Sequence, residues 1–331
     1  MILLFNILLL FIGFVGLIKG ADVFVDGSAG LAKNFKVPSV IIGLTIVAMG
    51  TSAPELCVSV TSALKGSSEI AISNVVGSNI FNLLMVLGIC AMILTVPIDK
   101  AIMKRDFPFV AFITTLLLAI PVITMLVKGT FKDTLDKGNM NLEVTKIGRI
   151  AGFVFLVLFV IYIYSLIKAA KNNKLIDEED YELLPYWKCF LFIIIGLALI
   201  IAGGQFVVNS SKFIARFFGM SETLIGLTII AVGTSLPELV TSIVASKKGE
   251  NGLAVGNAVG SNIFNILLIL GCAATIKPIS INFATVLDLV ILLVITLITF
   301  VFAITKRGIS RGEGFTMVLI YVAYIGFAII R

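Results

Sequence analysis

Apolar residues run through this chain in stretches of about twenty, the length that crosses the hydrocarbon layer as a helix. The stretches cover residues 1–25, 40–63, 70–94, 107–127, 147–167, 187–208, 224–244, 253–276, 283–304 and 315–330. Lipid offers no partner to a backbone N–H or C=O, so a chain of this pattern crosses as helices or as a closed barrel. The short alternating segments of a barrel are absent. The pattern predicts an all-α polytopic membrane protein of about ten spans. Several spans contain Gly, Ser, Thr, Asn or Glu and are expected to face one another rather than lipid. The first stretch reads as a span and not as a cleaved leader, because Lys19 and Asp22 stand near its end in place of a small-residue cleavage site.

The apolar pattern repeats. Residues 43–56 read GLTIVAMGTSAPEL and residues 226–239 read GLTIIAVGTSLPEL; residues 74–82 read NVVGSNIFN and residues 257–265 read NAVGSNIFN. Glu238 lies 183 residues after Glu55, Asn265 lies 183 after Asn82, and the spacing holds without a gap from Gly43 to Gly88. The chain therefore divides into residues 1–170, with a repeat core at 40–94, and residues 187–331, with a repeat core at 222–276. A charged linker, 171–186, joins them and holds Asp177, Glu178, Glu179, Asp180 and Glu182. With five spans in each half, the second half enters the membrane with opposite orientation, giving two inverted-topology five-helix repeats. Loops after the odd-numbered spans carry most of the cations, among them Lys33, Lys36, Lys100, Lys104, Lys247, Lys248 and Arg307. The positive-inside rule then places the linker in the cytoplasm and the N-terminus outside; the expected location is the plasma membrane.

Composition narrows the chemistry. The chain is 59% hydrophobic and 13% charged, and its formal net charge of +6 is explained by lysines in short loops, not by a nucleic-acid surface. There is no histidine, which excludes histidine-based catalysis and an ordinary zinc site. Cys57, Cys90, Cys189 and Cys272 are scattered without a CxxC and read as small buried apolar residues.

What remains is a set of polar stripes. In the second span Thr51 and Glu55 share a helix face, as do Ala48 and Ser52; Ala231, Thr234, Ser235 and Glu238 repeat them in the seventh. In the third span Asn74, Ser78 and Asn82 fall at steps of four, and Asn257, Ser261 and Asn265 do so in the eighth. A carboxylate inside a span is costly and normally faces a pathway. Surrounded by hydroxyl and amide oxygens, Glu55 and Glu238 form the donor set of a hard cation such as Ca2+, without the soft ligands of Zn, Cu or Fe. Pro54 and Pro237 each remove a helix hydrogen bond, to Gly50 and Gly233, and predict two broken helices whose free carbonyls turn towards the site. Ser59, Ser62, Ser242, Asn79 and Asn262 read as helix-packing contacts. Asp22, Asp26, Asp106 and Asp288 read as interface anchors or caps, with Lys19 and Asp22 spaced to pair along one helix.

The two motifs, Gly50–Thr51–Ser52–Ala53–Pro54–Glu55 with the GSNIFN at 77–82, and their counterparts at 233–238 and 260–265, closely resemble the signature repeats of the cation/calcium exchanger superfamily. The chain looks most like its prokaryotic sodium/calcium antiporters. That resemblance implies a central cluster of cation sites. Glu55 and Glu238 would ligate Ca2+ and Na+, and Thr51, Thr234, Ala48 and Ala231 would offer backbone oxygens, with the two threonine hydroxyls beside them. Ser52, Ser235, Ser78 and Ser261 would complete sodium sites, Asn82 and Asn265 would stand at the centre, and spans one and six would form a sliding gate. The cation/proton branch carries Asn-Ala where this chain has Thr51-Ser52 and Thr234-Ser235, which favours sodium as the coupling ion. The potassium-dependent branch carries aspartate where this chain has Asn265, which argues against obligatory K+ transport.

The expected function is a secondary active antiporter exchanging Na+ for Ca2+ by alternating access, with no cofactor and with the monomer as the working unit. A Ca2+/H+ antiporter of the same superfamily is the alternative. An ion channel and an intramembrane enzyme with paired carboxylates are the other classes the residues allow; the symmetric pair, set among ion-ligating oxygens, favours a carrier.

Overall fold

The structure is a computed structural model that describes residues 2–66, 68–129, 140, 142–172, 184–220, 231–305 and 307–330. Its helices are α1 (Ile2–Phe35), α2 (Ser39–Thr51), α3 (Ala53–Leu64), α4 (Glu69–Ile93), α5 (Ile102–Val127), α6 (Arg149–Lys171), α7 (Tyr186–Phe217), α8 (Leu236–Lys247), α9 (Asn251–Ile276), α10 (Phe283–Thr305) and α11 (Arg311–Ile330). Among the described residues eight of these are long and apolar enough to cross a membrane singly, and α2 with α3 forms a ninth crossing bent by 48°. Residues 221–230 of the expected seventh span, and residues 173–183 of the expected linker with its five acidic positions, lie outside the described residues. The arrangement is consistent with ten spans in two inverted repeats, and the protein is a multi-pass membrane protein.

Two short ribbons tie the loops. Strand β1 (Val96–Pro97) pairs antiparallel with β4 (Gly308–Ile309), and β2 (Glu143–Ile147) with β3 (Ile279–Asn282). Strand β2 occupies the expected start of the fifth span, so that helix begins at Arg149 rather than at Ile147. Each ribbon holds two loops at one membrane face, as alternating crossings require.

Burial is inverted relative to a soluble protein. Phe5, Phe11, Ile150, Val160, Trp187 and Ile330 stand exposed, whereas Thr51, Ser52, Glu55, Asn82, Glu238 and Asn265 are buried. Apolar residues on the outside are matched to lipid, and buried polar groups must find partners within the bundle. The buried apolar side chains form two bodies. The larger is drawn from α2, α4–α6 and α9–α11 and includes Phe81, Phe107 and Phe155. The smaller centres on α1 and α7, with Leu17, Phe24, Ile193 and Ile200.

Helices α1 and α7 cross in backbone contact. A Cβ on Gly196 would lie 2.6 Å from Phe24 N, and one on Gly20 would lie 2.8 Å from Ile200 N. Glycine is needed there because any side chain would collide with main chain, which cannot step aside. Helix α1 also runs ten residues past the expected end at Val25, reaching Phe35. Its polar positions do not end it: Asp22 and Asp26 each bind Lys248 Nζ at 2.7 Å, across from α1 rather than along it as the Lys19 spacing suggested. Gly27 sits against Cys189 O, so the small residues that follow find a close neighbour.

The expectation of Asp106 as an interface anchor is corrected. Its side chain is fully buried, held by Arg105 Nε at 2.8 Å and Nη2 at 3.0 Å, and accepts from Tyr162 Oη at 3.0 Å. In the second half Tyr324 Oη donates to Asp288 at 3.2 Å, so both halves brace their fourth span against their fifth with a Tyr–Asp bond.

Gly196→Ala is expected to lower thermal stability by about 1–3 kcal/mol through overpacking. Gly204→Ala, whose Cβ would meet only Leu17 Cδ2 at 3.8 Å, is expected to be near neutral. Thermal unfolding in detergent compares the two; equal melting temperatures would show that the crossing is not packed as described.

Candidate functional site

Proline shapes the site first. Pro54 has no N–H to give Gly50, and Ser52 leaves the helical conformation at φ −82°, ψ 6° before Leu56 N restarts the ladder on Ser52 O at 3.0 Å. Ser235 does the same at φ −95°, ψ 7°, and Leu239 N returns to Ser235 O at 3.2 Å. Each proline therefore falls in the first turn of the next helix, where a missing donor leaves nothing unsatisfied. Glu55 and Glu238 sit in those same first turns, where the positive end of the helix dipole favours a carboxylate.

The two breaks face each other. Ser52 Oγ donates to Glu238 Oε1 at 2.9 Å, and Ser235 Oγ donates to Glu55 Oε1 at 3.1 Å. Each serine thus serves the glutamate of the other half, and Ser235 Oγ also lies 3.0 Å from Ser78 Oγ. Both carboxylates are fully buried.

The asparagines behind the glutamates repeat the same symmetry. Asn74 Nδ2 donates to Glu55 O at 3.4 Å and to Ser59 Oγ at 3.1 Å; Asn257 Nδ2 donates to Glu238 O at 3.2 Å and to Ser242 Oγ at 2.9 Å. The threonines then cross over: Thr51 Oγ1 donates to Asn257 Oδ1 at 2.9 Å and Thr234 Oγ1 to Asn74 Oδ1 at 3.5 Å. Asn74 and Asn257 lie on the polar stripes but carry more than the stripes alone conveyed, since each holds the main chain of a glutamate. Ser59 and Ser242, read from sequence as packing contacts, are their hydrogen-bond partners.

Behind this layer, α4 and α9 each contain one π-helical turn, Asn82–Val86 and Asn265–Ile269, beginning at the two central asparagines. An inserted residue of this kind re-aims the helix face and is common at functional sites. Asn79 and Asn262 bracket the two halves, each donating to the other's carbonyl, at 3.4 and 3.3 Å, and Asn265 Nδ2 donates to Asn79 Oδ1 at 2.9 Å. The packing reading holds for that pair. Ala48 is buried against Gly260, and its carbonyl accepts Ser52 N at 3.0 Å. Of Ala231 only the backbone, at the start of the short helical turn Ala231–Gly233, is among the described residues.

Several oxygens of the site have no partner. Among the described residues Glu55 Oε2, Glu238 Oε2, Asn82 Oδ1, Asn265 Oδ1 and Ser261 Oγ are buried without a hydrogen bond. Each such atom costs roughly 1–3 kcal/mol, more for the charged ones. Hard acceptors gathered around two carboxylates offer what a Ca2+ or Na+ ion requires.

A cavity of about 280 Å³ reaches the breaks from one side. Its floor is Pro54, Thr234 and Pro237, one to four residues from the glutamates, and α7 supplies Gln205, Asn209 and Lys212 to its wall. Cys57 also lines it and is exposed, in contrast to Cys90 and Cys189, so it is not the buried apolar residue the sequence suggested.

The chain is similar to known exchangers and antiporters over nearly its whole length. The profile of the family described as sodium/calcium exchanger protein matches residues 5–168 and 188–330. The putative antiporter CaxA of Alkalimonas amylolytica is 37% identical over 324 residues, covering 95% of each chain. The sodium/calcium exchanger MaX1 of Methanosarcina acetivorans is 32% identical over 340 residues, covering 97% of each. A solved structure of the sodium-calcium exchanger NCX_Mj, soaked with 2.5 mM Na+ and 10 mM Sr2+, superposes with a TM-score of 0.80 at 28% identity, covering 98% of this chain and 99% of that one.

Asn257→Ala takes one partner each from Thr51 Oγ1, Ser242 Oγ and Glu238 O, leaving Thr51 Oγ1 on Val47 O at 3.1 Å and Ser242 Oγ on Ala254 O at 3.3 Å, and Asn74→Ala does the same to Thr234 Oγ1, Ser59 Oγ and Glu55 O in the first half. Each substitution is expected to cost about 1–3 kcal/mol of stability. Differential scanning fluorimetry checks this; an Asn257→Ala protein as stable as the wild type would mean that the network does not form.

Proposed function

The chain belongs to the sodium/calcium exchanger protein family, whose members named above are exchangers and antiporters, and on that premise we propose that it exchanges Na+ for Ca2+ at a site between Glu55 and Glu238 near the middle of the membrane. The observation that carries this reading is the crossed pair of serine–glutamate bonds, which leaves one unpartnered oxygen on each carboxylate. Two buried negative charges in an apolar bundle are destabilising unless a cation lies between them. Ca2+ or Na+ would take Glu55 Oε2 and Glu238 Oε2 as charged ligands. Thr51, Thr234, Ser52, Ser235, Ser78, Ser261, Asn82, Asn265, Ala48 and Ala231 would supply neutral oxygens around them, and Gly50, Pro54, Gly233 and Pro237 would keep the helices open.

Alternating access follows from the same charges. A loaded site is close to neutral and can be enclosed by apolar surface, whereas an empty one resists enclosure. Helices α1 and α7 are the element that moves in this proposal. They have their own apolar body, and α7 forms one wall of the cavity that ends at the helix breaks. The two halves, 1–170 and 187–331, act as repeats joined by a cytoplasmic linker; the monomer is the working unit, in the plasma membrane with its N-terminus outside. The hydroxyls of Ser52 and Ser235 on the carboxylates support sodium as the coupling ion. The rival is a Ca2+/H+ antiporter, in which the same carboxylates would exchange Ca2+ for protons.

Vesicles containing the purified protein, loaded with Na+ and diluted into Na+-free medium with radioactive Ca2+, should take up Ca2+. Glu55→Gln and Glu238→Gln should each cut uptake about a hundredfold or more, from the loss of about 3 kcal/mol of ligand charge. Uptake driven equally well by a pH gradient alone would select the Ca2+/H+ reading, and full activity in both Gln variants would remove the site altogether.

The cavity wall carries a further test. Lys212 repels a divalent ion twice as strongly as a monovalent one, so removing its charge should favour Ca2+ entry over Na+ entry. In Lys212→Gln the half-saturating Ca2+ concentration should fall by about the square of the factor seen for Na+, with both effects shrinking in high salt. Equal factors for the two ions would show that the lysine does not act through its charge.

A further inference from the structure

Away from the exchange site, the structure draws three cations to one hollow at the membrane surface. Strand β1 follows α4 and β4 follows α10, and their pairing, Val96 with Ile309 and Pro97 with Gly308, stitches these two loops together. Ile98 N adds a bond to Arg307 O at 3.1 Å. Arg307 is held at φ +53°, a left-handed conformation that a residue with a side chain adopts rarely and at some cost. The result is that Arg307, from the end of α10, stands beside Lys100 and Lys104 at the start of α5, around a cavity of about 750 Å³.

The rest of the wall is apolar: Met103, Pro108, Phe300 and Ile304. Phe300 and Ile304 belong to the membrane-spanning part of α10, and Ile304 is 51% exposed. The cavity thus has a cationic rim and an apolar side that runs into the lipid-facing surface.

The neighbouring carboxylates are turned elsewhere. Asp99 Oδ1 accepts Ala101 N at 2.6 Å, and Asp106 is taken by Arg105 and Tyr162. Among the described residues none of Lys100, Lys104 and Arg307 forms an ion pair. Three like charges lining one hollow repel each other, and an anion seated between them turns that repulsion into attraction.

We propose that this cavity binds an anionic phospholipid, with the headgroup phosphate between Lys100, Lys104 and Arg307 and the acyl chains along Phe300 and Ile304. A lipid is favoured over a free anion because the apolar wall continues into the bilayer, so one molecule satisfies both surfaces. The basic rim lies on the face that the loop charges assign to the cytoplasm, where anionic lipids give the surface its negative potential. The site is remote from Glu55 and Glu238 in the sequence and shares none of the residues of their cavity.

The test uses the full chain in phosphatidylcholine nanodiscs, with and without phosphatidylglycerol, followed by transfer to detergent. Retained lipid is read by native mass spectrometry, and the melting temperature is read alongside. Wild type should keep phosphatidylglycerol in preference to phosphatidylcholine and should melt higher when it does. K100Q/K104Q/R307Q should bind it about tenfold or more weakly. K65Q/K128Q/K168Q, with the same loss of total charge elsewhere, should retain it as the wild type does. Equal retention by K100Q/K104Q/R307Q, or loss of retention by K65Q/K128Q/K168Q, would overturn the proposal in favour of diffuse attraction. Inorganic phosphate that stabilises the protein as well as phosphatidylglycerol does would overturn the lipid assignment. Because every readout is binding or melting, the outcome is independent of whether the protein exchanges Na+ or H+ for Ca2+.

Discussion

Ser52 donates a hydrogen bond to Glu238, and Ser235 donates one to Glu55, so each bond crosses from one half of the chain to the other. A carboxylate taken out of water must be neutralised or hydrogen-bonded, and neither half can do this alone. The threonines extend the same exchange one layer out, Thr51 to Asn257 and Thr234 to Asn74. Removing either half would strand a buried acid with one unserved oxygen more than it has now. The pairing of the halves is therefore a consequence of the site's electrostatics, and the helix breaks exist because only an interrupted helix presents a serine and a glutamate to the opposite side at one level.

The proposed movement of α1 with α7 asks for one fixed body and one that can shift against it. The helices of the larger apolar body carry both central asparagines and the two Tyr–Asp braces, Tyr162 to Asp106 and Tyr324 to Asp288. Buried polar bonds of this kind fix one arrangement, since every alternative leaves a donor or an acceptor unmade. The α1–α7 pair is different. Its crossing is glycine against main chain, at Gly20 and Gly196, a contact without interlocking side chains at that point. The charged tie of Asp22 and Asp26 to Lys248 lies at one end of the pair, where water can replace it.

Much of this was legible in the sequence because it follows from rules local to a few residues. Span lengths come from runs of apolar residues, the breaks from Pro54 and Pro237, and the convergence of polar stripes from spacing by four along α4 and α9. The 183-residue register then doubles every observation. What escaped are facts that depend on a neighbour distant in sequence. Asn74 and Asn257 look like any intramembrane asparagine until the opposite threonine is placed beside them. Asp106 reads as an interface residue because Arg105 and the span end are close, whereas the tyrosine that completes its burial comes 56 residues later. The partner of Asp22 and Asp26 is Lys248, 222 positions beyond Asp26. The exposure of Cys57 depends on the cavity that α7 leaves open, not on its own apolar neighbours.

The charge of the site bears on what the proposed exchange moves. Glu55 and Glu238 carry two negative charges when ionised, and the central positions of both halves are amides, Asn82 and Asn265. One Ca2+ cancels that charge, and so do two Na+. Either load leaves a neutral centre, which the apolar interior tolerates at least cost. A third Na+ would have to rest on hydroxyl, amide and carbonyl oxygens alone, and the loaded site would then carry a net positive charge through the bundle. The amide dipoles of Asn82 and Asn265 and the serine hydroxyls would hold it, as neutral oxygens do in other cation sites, but each such cycle would move charge across the membrane. Stoichiometry in this chain is thus tied to a specific feature, the absence of a third acid, and the membrane potential acts on exchange only to the extent that neutral oxygens can hold that additional ion.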